Sequence, residues 1–309
     1  MAITTGSFAK ALWPGVNAWY GEAYNEYPVE YTALFDTHSS RKAFEEDMGV
    51  SGFGLASVKA EGTSISYDTA QQGFLSRYNH VTYGLGFVIT REMVDDDQYD
   101  VIGKKRAQAL AFSMRQTKEI VAANVYNRAF NTSYLGGDGK TLIASGGAGS
   151  ASHVNVAGGT WTNGPSTDSD LSEAALEQAA IDIMAFTNDR GLKIAVTPQT
   201  LILPPALVFE AERILKTSAR YNTANNDINA LKEMGYFPGG IKVNHYLTDS
   251  SAWFIRTNVK DGLKHFERRS DSFDMDNDFD TDNAKYKATG RYSFGWTDPR
   301  AIYGSEGVA

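Results

Sequence analysis

The sequence predicts an α+β fold, in which strands and helices alternate irregularly and one long helix stands near the middle of the chain. Two patterns indicate this class. Residues 81–89 and 285–296 alternate between apolar and polar side chains, with the period of two that is typical of half-buried strands. Residues 98–131 instead carry apolar side chains at spacings of three and four, which place them on one face of a helix. A chain of 309 residues is long enough to divide such elements between two domains.

The first part of the chain is predicted to be an arm followed by a hairpin. Residues 1–50 are rich in aromatic side chains but show poor helical periodicity, which favours an extended arm with one short helix near 39–48. The arm needs a surface to lie on, either in its own domain or on a neighbouring subunit. Residues 57–90 are predicted to form one long hairpin with a turn at 71–73. Because a lone two-stranded ribbon is marginally stable in water, the hairpin must pack against something else, and an adjacent subunit is the natural candidate.

The central part is predicted to hold the long helix and a mixed region of short elements. Three aspartates at 95–97 precede the helix, where carboxylates favour the helix dipole. A glycine-rich loop covers 135–166, and a helix then starts near Asp170, which has capping-box spacing with Glu173 and is followed by Gly191 as the closing residue. The remaining predicted elements are strands at 193–196, 200–203, 241–243 and 253–256 and helices at 206–215 and 227–234.

The last part is predicted to be a hairpin over 273–296 whose loop is 281–284. Before the loop the aspartates occupy even positions, and after it the lysines and Arg291 occupy odd positions. A four-residue loop therefore places all charges on one face with opposite signs opposed, and places aromatic side chains on the other face, toward the long helix. The predicted pairs are Asp280 with Lys285, Asp278 with Lys287, Asp274 with Arg291, Phe279 with Tyr286 and Phe273 with Tyr292.

This aspartate row has an alternative interpretation as a calcium site. An EF-hand loop that starts at Asp274 needs glycine at position 279 and glutamate at position 285. The sequence has Phe279 and Lys285 there, so the motif fails and the solvated face of a strand is favoured.

Other motifs that would indicate chemistry are incomplete. Residues 137–141 end like a phosphate-binding loop, but Tyr134 stands where the first glycine is required, and the segment follows a helix instead of a strand. Neither a Gly-x-Ser-x-Gly elbow nor a His-Glu-x-x-His motif occurs, and the five histidines are scattered. We therefore predict a protein that is not an enzyme, with no catalytic residues, cofactor or metal ligands.

Composition excludes further classes. The chain has no cysteine, which rules out disulfides, thiol nucleophiles and thiolate zinc sites. Its net charge of −8 argues against a protein that grips DNA phosphates, although it is compatible with a wall that lies beside DNA. Residues 1–20 carry no continuous apolar stretch, and the most apolar helical stretch, 107–114, is too short to span a bilayer. We expect no signal peptide and no membrane partner.

The order of these elements, together with four short phrases, resembles the major capsid proteins of tailed bacteriophages with the HK97 fold. The amino-acid sequences of these phrases are most similar to those of the Mu-like head subunits. The phrases are residues 138–142 (DGKTL) followed by His153, Asn163, Leu171 and Ala174; residues 196–207; residues 253–256; and residues 292–304.

The resemblance implies a division of the chain into the parts of that fold. The expected parts are an N-terminal arm at 1–56, an E-loop hairpin at 57–92, the spine helix of the P-domain at 93–134, an A-domain at 135–262 and a C-terminal β element of the P-domain at 263–309. Inter-subunit contacts are expected on the arm and on the hairpin. The candidate residues are Trp13, Trp19, Tyr20, Lys59, Glu61, Arg77 and Tyr78.

The resemblance also implies partners. The subunit is expected to assemble with itself into hexamers and pentamers of an icosahedral head, which encloses double-stranded DNA without sequence-specific binding. Scaffolding, portal and decoration proteins are further expected partners, and the scaffold is expected to be a separate protein because the chain passes from its methionine straight into the arm. The expected location is the virion, after assembly in the host bacterial cytoplasm. Some family members form a lysine–asparagine crosslink, and Lys59 lies in the matching hairpin, but no motif marks a partner and no crosslink is expected.

Two other functions stay open. An encapsulin-like nanocompartment would use the same fold to enclose cargo enzymes, and particle size and content would separate it from a phage head. A soluble hydrolase would use His153 or His245, and would keep its turnover when assembly is lost.

Overall fold

The computed structural model describes residues 9–90, 92–93, 99–145, 152–219, 228–278 and 283–308. Its helices are α1 (Ala9–Glu26), α2 (Tyr31–Leu34), α3 (Tyr99–Asn127), α4 (Glu173–Met184), α5 (Val208–Lys216) and α6 (Ala230–Met234), with short 3-10 turns at Pro205–Leu207 and Pro299–Ala301. Its strands are β1 (Asp36–Ser39), β2 (Phe44–Val50), β3 (Gln72–Asn79), β4 (Val81–Ile89), β5 (His153–Val154), β6 (Thr160–Trp161), β7 (Pro198–Leu203), β8 (Ile241–Val243), β9 (Trp253–Thr257), β10 (Leu263–Asn277), β11 (Ala284–Trp296) and β12 (Ile302–Ser305). Within these ranges no helix is both long enough and apolar enough to cross a membrane.

One half of the molecule is a four-stranded sheet, ordered β1-β10-β11-β4, that packs against the long helix α3. Leu110 and Met114 of α3 share a buried core with Tyr286 and Ala288 of β11. The helix has 29 residues and is therefore about 45 Å long at about 1.5 Å per residue. The predicted long helix is confirmed, and so is the prediction that the aromatic face of the last hairpin lies against it.

The other half is a second four-stranded sheet, ordered β12-β9-β7-β8, in which β7 is parallel to β8 and antiparallel to β9. Helices α4 and α5 cover it, and Leu176 and Ile214 share a core with Trp253. A third core joins the two halves where Tyr126, near the end of α3, meets Phe254 of β9 edge to face. Helices and sheets are combined in both halves, which confirms the α+β class.

The prediction of an extended arm is wrong over the described residues. Residues 9–26 form α1, in which Val16, Tyr20 and Ala23 recur at spacings of three and four and are buried against α3 and the first sheet. The aromatic side chains on both sides of this stripe hid the periodicity in the sequence. The short helix predicted near 39–48 is also wrong, because Ser39 ends β1 and residues 44–48 belong to β2.

Residues 57–90 were predicted to form one hairpin, in which the two halves of the segment pair with each other. This pairing is wrong. Strand β3 pairs with β2, and β4 pairs with β11. Only His80 separates β3 from β4, and its buried ring contacts Ser40 Oγ and Ser293 Oγ, each at 3.0 Å. A hairpin connection needs about two residues or more, so the chain turns into the neighbouring sheet instead. Gly73 is part of the close approach of β2 and β3, because a Cβ there would lie 2.5 Å from the carbonyl oxygen of Gly49.

The hairpin predicted over 273–296 exists, but its register differs from the prediction. Lys285 pairs with Asp276 and Lys287 pairs with Asp274, four residues away from the predicted partners of the same lysines. Since the shift is even, the faces are kept: charges oppose charges, and Tyr286 pairs with Met275 on the apolar face. The predicted pairs that involve Phe279 and Asp280, and residues 281–282 of the predicted loop, lie outside the described residues, whereas Ala284 of that loop already belongs to β11.

The ends of the helix predicted near Asp170 also differ. Ser172, and not Asp170, is the N-cap, since its side-chain oxygen accepts a hydrogen bond from the backbone N–H of Ala175. The helix ends at Met184, and Gly191 closes a separate turn with a φ of +77°. The predicted strand at 193–196 is reduced to one isolated bridge between Thr187 and Lys193.

Candidate functional site: an exposed projection and a buried polar junction

The segment between β2 and β3, residues 52–71, stands out from the surface, and we call it the projection. Its two arms run side by side. Gly54 N donates to Asp68 Oδ2 at 2.8 Å, Ser57 Oγ lies 2.9 Å from Ser66 Oγ, and Thr63 N donates to Ala60 O at the tip. No regular strand pairing is assigned to residues 52–71, so side-chain contacts and a tip turn maintain its shape.

The projection is rich in apolar side chains that face water. Val58 is 99% exposed and Tyr67 is 95% exposed, and Phe53, Leu55 and Ile65 are also largely exposed. Full burial of a side chain of this size is worth about 1.5–3 kcal/mol. Contiguous exposed apolar surface on a folded chain marks a site of interaction with another molecule. The projection is therefore the strongest candidate for a protein-binding site.

The predicted contact residues on the hairpin fall into two groups. Lys59 and Glu61 lie on the exposed projection, beside its tip. Arg77 lies on β3 and is partly exposed, with its guanidinium 3.8 Å from the centre of the Phe44 ring. Tyr78 is 4% exposed, so its side chain packs within its own subunit.

The predicted contact residues on the arm lie on α1. Tyr20 is buried and stacks on Phe273 with ring centres 4.5 Å apart. Burial and the nearby Asp271 carboxylate raise the pKa of Tyr20. Trp19 packs against the same core, and the side chain of Trp13 lies outside the described residues. The arm was expected to lie either on its own domain or on a neighbouring subunit, and Tyr20 contacts its own domain.

A buried polar junction links the glycine-rich region to the C-terminal strand. Asn163 Nδ2 donates to the carbonyl oxygens of Leu142, Pro299 and Ile302 at 2.8–3.1 Å. These three acceptors fix the amide, so that Asn163 Oδ1 faces His153 Nε2 at 3.2 Å. One buried asparagine thus joins three segments of the chain.

The other side of His153 is held by a carboxylate. His153 Nδ1 lies 2.6 Å from Asp138 Oδ2, and Trp161 stacks on the imidazole at 4.6 Å. Both ring nitrogens therefore face side-chain oxygens, which fix the orientation of the imidazole. Burial opposes ionisation of Asp138, but the hydrogen bond and charge of His153 outweigh it and hold the pKa of Asp138 below its ordinary value.

Arg300 extends this junction and was not found by sequence reasoning. It is 8% exposed, lies over the Trp161 ring at 4.5 Å, and donates to Asn155 Oδ1 at 2.8 Å and to Asp189 Oδ1 at 3.1 Å. No spacing motif surrounds a single arginine, so only its three-dimensional partners reveal the role. Asp138, His153 and Asn163 were noticed as one phrase, and the structure shows that they form one network.

This geometry does not favour the hydrolase interpretation. Both nitrogens of His153 are occupied by Asp138 and Asn163, and neither partner is a nucleophile of the serine or cysteine type. His245 Nδ1 lies 2.6 Å from Glu30 Oε1 on an exposed surface. The stretch 137–141 forms turns after α3, in which Gly139 has a φ of +69°, as the glycine-rich turn interpretation predicted.

A family model described as phage capsid protein matches residues 75–305, which is most of the chain. The chain belongs to the phage capsid protein family. No curated protein matched the sequence. The match spans most of β3, the long helix, the junction and the strands from β4 to β12, whereas α1, β1, β2 and the projection precede it.

Solved structures show the same fold at low identity. The subunit is similar to a chain of Mycobacterium phage Adephagia, with a TM-score of 0.53 and 10% identity over 92% of this chain and 91% of that one. It is similar to the procapsid of bacteriophage JBD30, with a TM-score of 0.51 and 13% identity over 98% and 76%. It is also similar to the virus-like particle from Pyrococcus furiosus, with a TM-score of 0.52 and 12% identity over 94% and 97%. The predicted HK97-like fold is confirmed.

The family match establishes the general role of the capsid subunit. It is a major capsid protein, a structural component of the shell of a phage head, and its place is the virion. A virus-like particle and a phage procapsid share the fold of the subunit to the same degree, with TM-scores of 0.52 and 0.51. The family match decides between a phage head and a nanocompartment and does not favour the nanocompartment.

Proposed function

We propose that the capsid subunit assembles with copies of itself into hexamers and pentamers of an icosahedral head around double-stranded DNA, and that the projection docks on a neighbouring subunit. The single observation that carries this proposal is the row of apolar side chains, from Phe53 to Tyr67, that has almost no cover in its own chain. Such side chains favour a partner surface. In a shell, that partner is another copy.

The proposed parts of the subunit follow the division predicted from the sequence, and each part is assigned here to helices and strands of the fold. We propose the E-loop as the β2–β3 hairpin with the projection, α3 as the spine of the P-domain, and the β7-containing sheet with its helices as the A-domain. Lys59 and Glu61 are the proposed contact residues, since both lie on exposed parts of the projection. The four short phrases of the sequence support a relationship to the Mu-like head subunits.

Other partners are proposed from the resemblance alone. Scaffolding, portal and decoration proteins would act with the subunit during assembly in the host bacterial cytoplasm. The net charge of −8 supports an inner wall that lies close to DNA without gripping it.

Removal of the tip tests the docking proposal. Because Ser57 Oγ and Ser66 Oγ lie 2.9 Å apart, residues 58–65 can be deleted and the two arms joined with little change to the base. We expect a folded subunit that no longer forms shells, measured by circular dichroism and by electron microscopy. A milder variant, Val58→Ser with Tyr67→Ser, should weaken assembly, and Val308→Ser, at a position that is 61% exposed near the other end, is its control. Normal shells from the deletion variant would show that the projection does not dock.

A further inference from the structure

Arg190 ties the projection to the second half of the subunit. Its Nη2 donates to the carbonyl oxygen of Thr69 and lies 3.4 Å from Asp68 Oδ1. The same Asp68 carboxylate also accepts hydrogen bonds from the backbone N–H groups of Gly54 and Thr69, both at 2.8 Å. One carboxylate therefore joins the two arms of the projection to each other and to Arg190.

The turn that carries Arg190 is firmly held. Asn188 Oδ1 accepts hydrogen bonds from the backbone N–H groups of Arg190 and Leu192, both at 2.9 Å. From below, the buried Arg300 donates to Thr187 O at 2.8 Å and to Asp189 Oδ1 at 3.1 Å. The turn is thus fixed to the polar junction, and Arg190 reaches out from a rigid base.

The projection itself has little else to fix its direction. Among the described residues, the other hydrogen bonds made within 52–71 join its own two arms or its own base at Ser51. Those bonds give the projection its shape, but they do not set its angle to the body. Lys264 and Thr297 hydrogen-bond Asp47 at the base, on β2, but among the described residues Arg190 is the side chain outside the hairpin whose hydrogen bonds reach residues 52–71.

We infer that Arg190 is a positioning latch, which holds the projection in one direction so that it meets a neighbouring subunit already oriented. This inference rests on the proposed docking of the projection. A projection without the latch would sample many directions, and ordering it would reduce the free energy gained on assembly.

The latch is built to be reversible. The Asp68 side chain is 42% exposed, so salt screens its attraction to Arg190. Nε of Arg190 is buried and has no hydrogen-bond partner among the described residues, and opening the latch returns this group to water. The contact therefore sets a direction without locking it.

Hydrogen exchange on the unassembled full chain tests the latch. We expect Arg190→Ala to raise the exchange of the amides of Gly54, Thr69 and Gln71 several-fold, and to remove the dependence of that exchange on salt. Arg190→Lys keeps the charge, so its amides should exchange more slowly than those of Arg190→Ala and should keep part of the salt dependence of the wild type. Arg213→Ala is the matched control, because Arg213 pairs with Glu210 at 3.1 Å on α5 and is equally an arginine in a surface ion pair.

A second variant guards against a general loss of folding. Asp68→Asn removes the charge but keeps an acceptor for Gly54. Its effect on exchange should add only in part to that of Arg190→Ala, because both variants remove the contact between Arg190 and Asp68, although Asp68 also accepts from Gly54 N and Thr69 N. Unchanged exchange in Arg190→Ala, or full additivity of the two variants, would overturn the latch.

The concentration needed for shell assembly, measured by light scattering, tests the positioning role. We expect Arg190→Ala to raise it about three- to tenfold, with Arg190→Lys between that value and the wild type. Faster exchange together with unchanged assembly would show that the latch exists but does not position the projection. If the chain lacking residues 58–65 still forms shells, the docking proposal fails, whatever the exchange of Arg190→Ala shows.

Discussion

The two long hairpins of the capsid subunit end in opposite ways. The β10–β11 hairpin is covered: one face packs on α1 and α3, and on the other face Asp274 and Asp276 oppose Lys287 and Lys285. The β2–β3 hairpin pairs only near its base and continues into a projection that water surrounds. Over its described residues the first hairpin packs its apolar face within its own chain, whereas the second presents apolar side chains such as Val58 and Tyr67 that are almost fully exposed. The difference separates side chains that stabilise the subunit from side chains that join subunits.

The largest expected effect comes from exchanging one tyrosine in each hairpin for alanine. Tyr286 is 2% exposed and stacks on Phe87 at 4.9 Å, so Tyr286→Ala should lower the free energy of unfolding by about 3–5 kcal/mol. Tyr67 is 95% exposed, so Tyr67→Ala should change it by less than about 0.5 kcal/mol and instead weaken assembly. Urea unfolding of the unassembled chains measures the first effect, and light scattering measures the second. Equal losses of stability would erase the distinction between the hairpins.

A smaller effect is expected at the polar junction, which belongs to the covered part of the subunit. Asp138→Asn leaves an acceptor near His153 but removes the charge, so we expect a loss of about 1–3 kcal/mol at neutral pH. The pKa of Asp138 is lowered in the folded chain, so its contribution is fully present above the ordinary aspartate pKa of about 4 and is lost as the pH falls through the lowered value.

The difference in stability between wild type and Asp138→Asn should therefore shrink as the pH is lowered from about 5 toward 3. Urea unfolding at a series of pH values measures it. Asp170→Asn is the control, since Asp170 is exposed and accepts a hydrogen bond from Val308 N. A difference that grows toward low pH would contradict the stabilisation of the Asp138 carboxylate by its contact with His153.

The sequence predicted the elements whose signal is local. The long helix and the strands at 81–89 and 285–296 follow from side-chain period, which depends only on neighbours along the chain. The pairing of β3 with β2 was missed because it depends on the single residue His80 between β3 and β4, and on the close approach at Gly73. Partners that are distant in sequence leave no periodic trace.

The candidate site was predictable to the same extent. The exposed projection was expected as a hairpin that needs a neighbour, and Lys59 and Glu61 lie on it. Arg190 and Arg300 were not found, because a lone arginine has no motif and its role comes from carboxylates and carbonyls elsewhere in the chain. Tyr20 and Tyr78 were predicted contact residues because they lie on the predicted arm and hairpin, yet their side chains are buried in their own subunit.

The smallest expected effect concerns the register of the covered hairpin, which parity alone leaves open. Sequence parity placed Asp278 opposite Lys287, but Lys285 is the residue whose Nζ contacts Asp278 Oδ2, at 2.5 Å. The side chain of Lys285 is 54% exposed, so the pair should contribute only about 0.3–1 kcal/mol. A double-mutant cycle with Asp278→Ala and Lys285→Ala should give a coupling of that size, whereas the cycle with Lys287→Ala should give a coupling near zero. Salt at about 1 M should weaken the first coupling, because partly exposed charges are screened. Coupling of Asp278 to Lys287 instead of Lys285 would support the register that the four-residue loop predicted. In that register the pairing of β10 with β11 moves by four residues, and every side chain keeps its face of the sheet.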